Sequence, residues 1–94
     1  MMLDGQPLLL IDVRTYEEFT SGHIPDSLNL PLDDIEEWKG LLDKQMRTCC
    51  ICGVGGRSQT AADTLVADGF LQVYNLLGGM NGWTGDVEEG CGCD

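Results

Sequence analysis

The chain has 94 residues, a formal net charge of −11 and only five lysines and arginines. A chain of this length forms one domain with a modest core, and an apolar share of 43% excludes wholesale disorder. So few cations exclude the basic stripe that nucleic-acid binding needs, and the negative charge, with no apolar run of about 20 residues, predicts that no membrane is a partner.

Five cysteines lie in two clusters: Cys49, Cys50 and Cys52 near the middle of the chain, and Cys91 and Cys93 near its end. A secreted disulfide framework normally has an even number of cysteines spread along the chain. The clustering therefore favours reduced, reactive or metal-binding thiols in a reducing compartment. No basic and apolar leader begins the sequence, and we expect a cytoplasmic protein.

The chain begins with a strand and a short helix. Residues 8–13 form a continuous apolar run, which is typical of a strand buried on both faces of a parallel sheet. Thr15 and Glu18 have the spacing of a capping box, which predicts a helix from Tyr16. Gly22 is placed to end that helix.

A second strand and a second helix follow. Residues 27–30 predict the strand, and Asp33 with Glu36 resembles another capping box. Four apolar residues then recur at helical spacing and should face the core: Ile35, Trp38, Leu41 and Leu42.

The second half of the chain repeats the alternation. Residues 48–52 predict a third strand and residues 70–76 a fourth, with a helix after Ser58 between them. Gly69 should follow the end of that helix. Its apolar stripe comprises Ala61, Ala62, Leu65 and Val66.

Short linkers between alternating strands and helices indicate right-handed crossovers and parallel strands. We therefore predict an α/β fold with a small, open, mainly parallel sheet of four or five strands and helices on both faces. The single domain should occupy residues 1–94, with a core over about residues 8–83 and an acidic tail rich in glycine and cysteine over residues 84–94.

The segment over residues 52–58, Cys-Gly-Val-Gly-Gly-Arg-Ser, carries the chemistry. It should lie at the carboxyl end of a strand, where open parallel sheets bind ligands. Its glycines allow successive N–H groups to point inward as an anion-binding nest, beside the positive N-terminus of the next helix. The predicted binding loop comprises Gly53, Val54, Gly55, Gly56, Arg57 and Ser58.

Cys52 lies at the start of this loop. A helix N-terminus and the nearby charge of Arg57 should lower the pKa of its thiol into the range of about 3.5–7.5. Cys49 and Cys50 lie within the strand, where cysteines usually behave as small buried apolar residues. Cys52 is therefore the candidate nucleophile.

Three groups of residues occur in order along the chain. The first comprises Ile11-Asp12-Val13-Arg14, Glu18-Phe19, Gly22-His23-Ile24 and Asn29-Leu30-Pro31. The second has the form Cys-x-x-Gly-x-Arg-Ser and comprises Cys52, Gly55, Arg57 and Ser58. The third comprises Tyr74-Asn75-Leu76, Leu77-Gly78-Gly79 and Trp83. Together they resemble the rhodanese family of sulfurtransferases over most of the chain.

The resemblance implies a mechanism of sulfur transfer. Cys52, with Arg57 in the catalytic loop, would take the outer sulfur of a small anion such as thiosulfate or a polysulfide and hold it as a persulfide. Cyanide or a thiol would then accept that sulfur, and either donor or acceptor could be a protein, such as a cysteine desulfurase that carries a persulfide. The resemblance implies no metal and no organic cofactor. Asp12, Arg14 and the single histidine, His23, would be structural.

Other functions stay open on the sequence alone. A non-catalytic rhodanese-like module that binds a protein is one, and a cysteine-rich redox or metal-handling variant is another. Cys91 or Cys93 would serve as a resolving thiol for the Cys52 persulfide, or would join Cys49 or Cys50 at a metal. Related phosphatases have five residues between the loop Cys and Arg, and the four found here favour sulfur over a phosphoryl group.

Overall fold

The structure, a computed structural model, describes residues 2–3, 6–53, 56–76, 79–85 and 87. Its strands are β1 (Met2–Leu3), β2 (Gln6–Asp12), β3 (Leu28–Asn29), β4 (Arg47–Ile51) and β5 (Val73–Asn75). Its α-helices are α1 (Tyr16–Ser21), α2 (Ile35–Trp38) and α3 (Gly56–Ala67). Short 3₁₀ segments cover Leu32–Asp34, Lys39–Leu41 and Gly79–Gly82. Within these described ranges, no helix has the length and apolar character that crossing a bilayer requires.

The strands form one sheet in the order β1-β2-β4-β5, with β3 also paired to β2. β2 is parallel to β3 and to β4, and β4 is parallel to β5, whereas β1 pairs antiparallel to the start of β2. Because β4 occupies one edge of β2, β1 and β3 share the other edge at opposite ends. The predicted mainly parallel α/β sheet is therefore confirmed.

Alternation along β4 divides its cysteines between two buried clusters. Cys50 packs with Ile11, with Trp38 of α2 and with Leu65 of α3 on one face of the sheet, and Cys52, directly after the strand, belongs to the same cluster. On the other face, Cys49 and Ile51 pack with Leu10 and Ile24. This is the period of two that a strand imposes on its side chains.

The predicted helix ends are confirmed at both ends of α1 and after α3. The Glu18 N–H donates to the Thr15 hydroxyl at 3.3 Å, and the Thr15 N–H donates to the Glu18 carboxylate at 3.1 Å. Gly22 follows α1, and its N–H donates to the Phe19 carbonyl at 3.2 Å. Gly69 follows α3 with a φ of +100°, in the region that favours glycine.

Two predictions for the second helix are wrong. The residue that caps α2 is Asp34, and its side chain makes no capping hydrogen bond, because residues 32–34 form a 3₁₀ turn before the helix. Leu41 does not face the core and is 84% exposed. The helical period of 3.6 is interrupted after Trp38, since the chain continues as a 3₁₀ helix with about three residues per turn.

The stripe predicted for the third helix also needs one correction. α3 starts at Gly56, three residues before the predicted start, and Ser58 takes the first buried position of the stripe. Positions i+3, i+4 and i+7 from Ser58 are then Ala61, Ala62 and Leu65, which are all buried. Val66 lies one position beyond this face and is 58% exposed.

Candidate active site

Cys52 directly follows the last residue of β4, at the carboxyl end of the parallel strands. Its sulfur lies 3.3 Å from the hydroxyl oxygen of Ser58, in the first turn of α3. The residue is only 1% exposed, so the thiol is buried. A reactant can therefore reach this sulfur only when neighbouring atoms move aside.

A chain of polar side chains extends from the Cys52 thiol to the next strand. The thiol donates to Ser58, the Ser58 hydroxyl donates to the Asn75 carbonyl oxygen, and the Asn75 amide donates to Gln59 at 3.1 Å. A hydroxyl has one proton and two lone pairs. When the thiol loses its proton, the Ser58 hydroxyl can turn and donate to the sulfur anion. Asn75 belongs to the third sequence motif, but no site role was predicted for it.

The backbone where the loop begins is anchored by the 3₁₀ segment Gly79–Gly82. The carbonyl of Cys52 accepts from the N–H of Met80 at 2.6 Å, and the carbonyl of Gly53 accepts from the N–H of Asn81 at 2.9 Å. Because both carbonyl groups point toward this segment, the two hydrogen bonds fix the orientation of the peptide groups that follow Cys52 and Gly53. Val54 and Gly55 lie outside the described residues, so the nest of N–H groups stays a prediction.

Arg57 forms an ion pair with Glu18 that joins α3 to α1. Nη1 of Arg57 donates to Oε1 of Glu18 at 2.7 Å, and Nη2 donates to Oε2 at 2.9 Å, with both side chains about 40% exposed. These hydrogen bonds lower the pKa of Glu18 to about 2 and raise the pKa of Arg57. The charge of Arg57 that the sequence predicts beside Cys52 is therefore shared with a carboxylate, and it also interacts electrostatically with Cys52. The sequence singled out Glu18 only as a helix cap and part of a motif.

Asp12 and Arg14 form a buried pair at the end of β2. Asp12 is fully buried and Arg14 is 8% exposed. The guanidinium donates to the carboxylate at 2.9 Å from Nε and 2.7 Å from Nη2, and Nη2 also donates to the carbonyl of Gly22 at 2.7 Å. The pair ties the strand end to the end of α1, as expected of a structural role near the site.

His23 is buried and contacts Phe19 through both a hydrogen-bonding distance and ring stacking. It is 1% exposed, and its Nδ1 lies 2.9 Å from the carbonyl oxygen of Phe19. The rings of His23 and Phe19 are stacked with centroids 3.7 Å apart. This environment supports the structural role predicted for His23.

The other described cysteines are poor nucleophiles in the folded state. Burial raises the pKa of Cys49, and burial with the charges of Cys49 and Cys52 raises the pKa of Cys50 to about 12. Within the described ranges, no group of histidine, cysteine and acidic side chains is arranged to hold a metal. Cys91 and Cys93 lie outside those ranges, so the resolving-thiol and metal hypotheses stay predictions.

A pocket of about 90 Å³ lies beside Arg57. Its walls are mainly apolar, and one acidic and one basic residue are among those that line it. The lining residues are Val13, Thr15, Pro31, Leu32, Asp33 and Arg57.

The profile of the Rhodanese-like domain family matches residues 1–86. The chain belongs to the rhodanese-like family. The match includes both sides of the Cys52 loop and the strands that position it. The sequence resemblance to rhodaneses, which rested on three short motifs, is therefore confirmed over nearly the whole chain.

Relatives of this rhodanese-like chain carry names from sulfur chemistry. The putative sulfur carrier protein YrkF of Bacillus subtilis is 37% identical over 83 residues, which are 88% of this chain and 45% of YrkF. The thiosulfate sulfurtransferase GlpE of Pseudomonas savastanoi pv. phaseolicola is 38% identical over 81 residues, which are 86% of this chain and 76% of GlpE. The chain thus spans less than half of one relative and about three quarters of the other.

Solved structures share the rhodanese fold. A rhodanese-like domain protein from Staphylococcus aureus has a TM-score of 0.83 at 32% identity, over 93% of this chain and 85% of that one. A rhodanese with anions from E. coli has a TM-score of 0.79 at 27% identity, over 89% of this chain and all of the other. The sheet and its helices are therefore those of the family.

Proposed function

We propose that this rhodanese-like chain is a sulfurtransferase that carries a sulfane sulfur as a persulfide on Cys52. The observation that carries the proposal is the position of the Cys52 sulfur, 3.3 Å from Ser58 in the first turn of the 12-residue helix α3. The N-terminus of such a helix has a positive potential that stabilises a thiolate. Cys49 and Cys50 have no comparable support, since burial raises the pKa of each.

In the first half-reaction, the Cys52 thiolate attacks the outer sulfur of a donor such as thiosulfate. A new sulfur–sulfur bond forms, the bond within the donor breaks, and its electron pair leaves with sulfite. The product is a persulfide whose terminal sulfur carries the negative charge. The Ser58 hydroxyl, the N-terminus of α3 and the N–H groups expected at Gly53 and its successors would stabilise that charge.

In the second half-reaction, cyanide or a thiol attacks the terminal sulfur of the persulfide. The sulfur leaves as thiocyanate or as a new persulfide, and the electron pair of the broken bond returns to the Cys52 thiolate. No electrons are gained or lost overall, and the two steps require no metal and no organic cofactor. Separate half-reactions on one nucleophile give ping-pong kinetics.

The donor and acceptor classes belong to the same proposal. A small sulfur-containing anion, thiosulfate or a polysulfide, would load Cys52, and a protein persulfide would do so by the same bond changes. The names of GlpE and YrkF, a thiosulfate sulfurtransferase and a putative sulfur carrier protein, support both kinds of exchange as candidates here. We place the reaction in the cytoplasm, where thiols stay reduced.

Intact-mass analysis tests the proposal directly. The protein is reduced, incubated with thiosulfate, freed of donor and weighed, then treated with cyanide and weighed again. We expect the mass to rise by one sulfur atom and to return with cyanide, in the wild type and in Cys49→Ser but not in Cys52→Ser. Loading that persists in Cys52→Ser would refute the assignment of the nucleophile. No loading of the wild type from thiosulfate, a polysulfide or a protein persulfide would favour a non-catalytic module.

A further inference from the structure

Among the residues that the structure describes, few positively charged side chains are available for an anion at the active-site end of the molecule. The chain has five basic residues. Lys39 and Lys44 both contact Asp68, beyond the end of α3, which is about 18 Å from the helix start at 1.5 Å per residue. Arg47 begins β4, so about 16 Å of strand separates it from Cys52. Only Arg14 and Arg57 lie at the end where Cys52 is found.

Both of those arginines already have a carboxylate partner. Arg14 is buried and forms an ion pair with Asp12, so its charge has a structural role and does not face an incoming anion. Arg57 is the cation nearest the loop, since its Nη2 lies 3.8 Å from the position that a β-carbon on Gly53 would occupy. Each terminal nitrogen of the guanidinium gives one of its two N–H groups to Glu18, so the carboxylate offsets the charge that an approaching anion would meet.

The pocket beside Arg57 has no further positively charged residue in the described part of its lining that could bind an anion. Its other lining residues are the apolar Val13, Pro31 and Leu32, the neutral Thr15 and the acidic Asp33. A dianion that approaches Arg57 along this pocket would pass the acidic residue Asp33 and would meet the Glu18 carboxylate on the guanidinium. Like charges at short range disfavour binding, and fixed apolar walls do not offset the loss of hydration of a dianion.

We propose that Glu18 is a specificity-determining residue that withholds Arg57 from small dianionic sulfur donors, so that the site accepts donors of lower charge in preference to thiosulfate. The inference rests on the proposed function and names the donor class for the same site. Donors in this class include monoanionic thiosulfonates and persulfides, which present an outer sulfur to Cys52 with one negative charge instead of two.

Because Glu18 belongs to the capping box of α1, the Glu18→Gln variant removes its charge while keeping the helix cap. Glutamine serves at this position of a capping box as glutamate does, so the start of α1 should keep its hydrogen bonds to Thr15. The variant removes the charge that holds Arg57 and leaves its guanidinium free to pair with a bound anion. Glu17→Gln is the matched control, because it removes the same charge from the neighbouring exposed position of α1.

Steady-state kinetics with two donors tests the proposal. Thiosulfate and methanethiosulfonate both transfer an outer sulfur and release a sulfur oxyanion, but they carry two charges and one. With cyanide as the acceptor at low ionic strength, Glu18→Gln should lower the KM for thiosulfate about fivefold and that for methanethiosulfonate about twofold, since a charge interaction scales with donor charge. The kcat should change less than about twofold, and added salt should shrink both effects.

The controls separate the possible outcomes. Glu17→Gln should change neither KM by more than about twofold, and the double variant Glu18→Gln with Arg57→Gln should lose the gain, because the freed cation is then absent. Equal KM values in Glu18→Gln and Glu17→Gln, or an equal gain for both donors, would overturn the role of Glu18 while leaving sulfur transfer standing. Absence of turnover in the wild type with both donors would refute the proposed function and this inference together.

Discussion

Gly79 packs directly beneath the backbone where the active-site loop begins, and we expect Gly79→Ala to disrupt it. Gly79 has a φ of +54°, and a β-carbon there would lie 2.2 Å from the carbonyl oxygen of Cys52 and 2.7 Å from that of Gly53. Non-bonded heavy atoms prefer about 3.5–4.0 Å, so the backbone must shift by about 1 Å. The left-handed conformation itself costs about 1–2 kcal/mol for alanine.

The shift would also weaken the two hydrogen bonds that Met80 and Asn81 donate to those carbonyls, at about 0.5–1.5 kcal/mol each. We therefore expect Gly79→Ala to lower the free energy of unfolding by about 2–5 kcal/mol in urea denaturation, and to slow sulfur loading of Cys52. Gly40→Ala is the control, because nothing lies within 4 Å of its β-carbon, and it should change stability by less than about 1 kcal/mol. Equal stability of the two variants would refute this reasoning.

The two ion pairs give further predictions. Asp12→Asn leaves the buried guanidinium of Arg14 without its counter-charge and should lower the free energy of unfolding by about 3 kcal/mol in urea, whereas a loss below about 1 kcal/mol would contradict a structural role for the pair. Glu18 has its pKa lowered from 4.5 to about 2 by Arg57, so its charge stabilises the fold fully above pH 4.5 and stops doing so as the pH falls toward 2. The stability difference between the wild type and Glu18→Gln should therefore be constant above pH 4.5 and shrink below it, and a difference independent of pH across this window would count against the pair.

Local patterns were enough to predict the order of strands and helices from β2 onward, whereas the two-residue strand β1 was not predicted. The Thr15 capping box and the glycine after α3 act within a few residues, so their structural result can be read from adjacent positions. Continuous apolar runs marked β2 and β4 because parallel strands are covered on both faces. Leu41 was assigned wrongly because nothing in the spacing of apolar residues indicates where an α-helix tightens into a 3₁₀ helix.

The environment of the site could not be predicted in the same way. Glu18 and Arg57 are 39 residues apart, and their pairing depends on how α1 and α3 pack across the fold. The contact of Ser58 with Asn75 likewise joins α3 to the end of β5, 17 positions along the chain. The glycine-rich loop identified Cys52 as the nucleophile candidate, but its burial follows from the cluster that it joins beside α3.

The pH dependence of Cys52 alkylation tests most directly whether this position supports a sulfur anion. The folded protein is treated with iodoacetamide between about pH 5 and pH 10, and each cysteine is followed by peptide mapping. We predict that Cys52 is labelled with a midpoint below the ordinary thiol value of about 8.5, while Cys50, whose pKa is raised to about 12, stays unlabelled. A midpoint for Cys52 at or above about 8.5, or labelling of Cys50 at the same rate, would contradict the proposal.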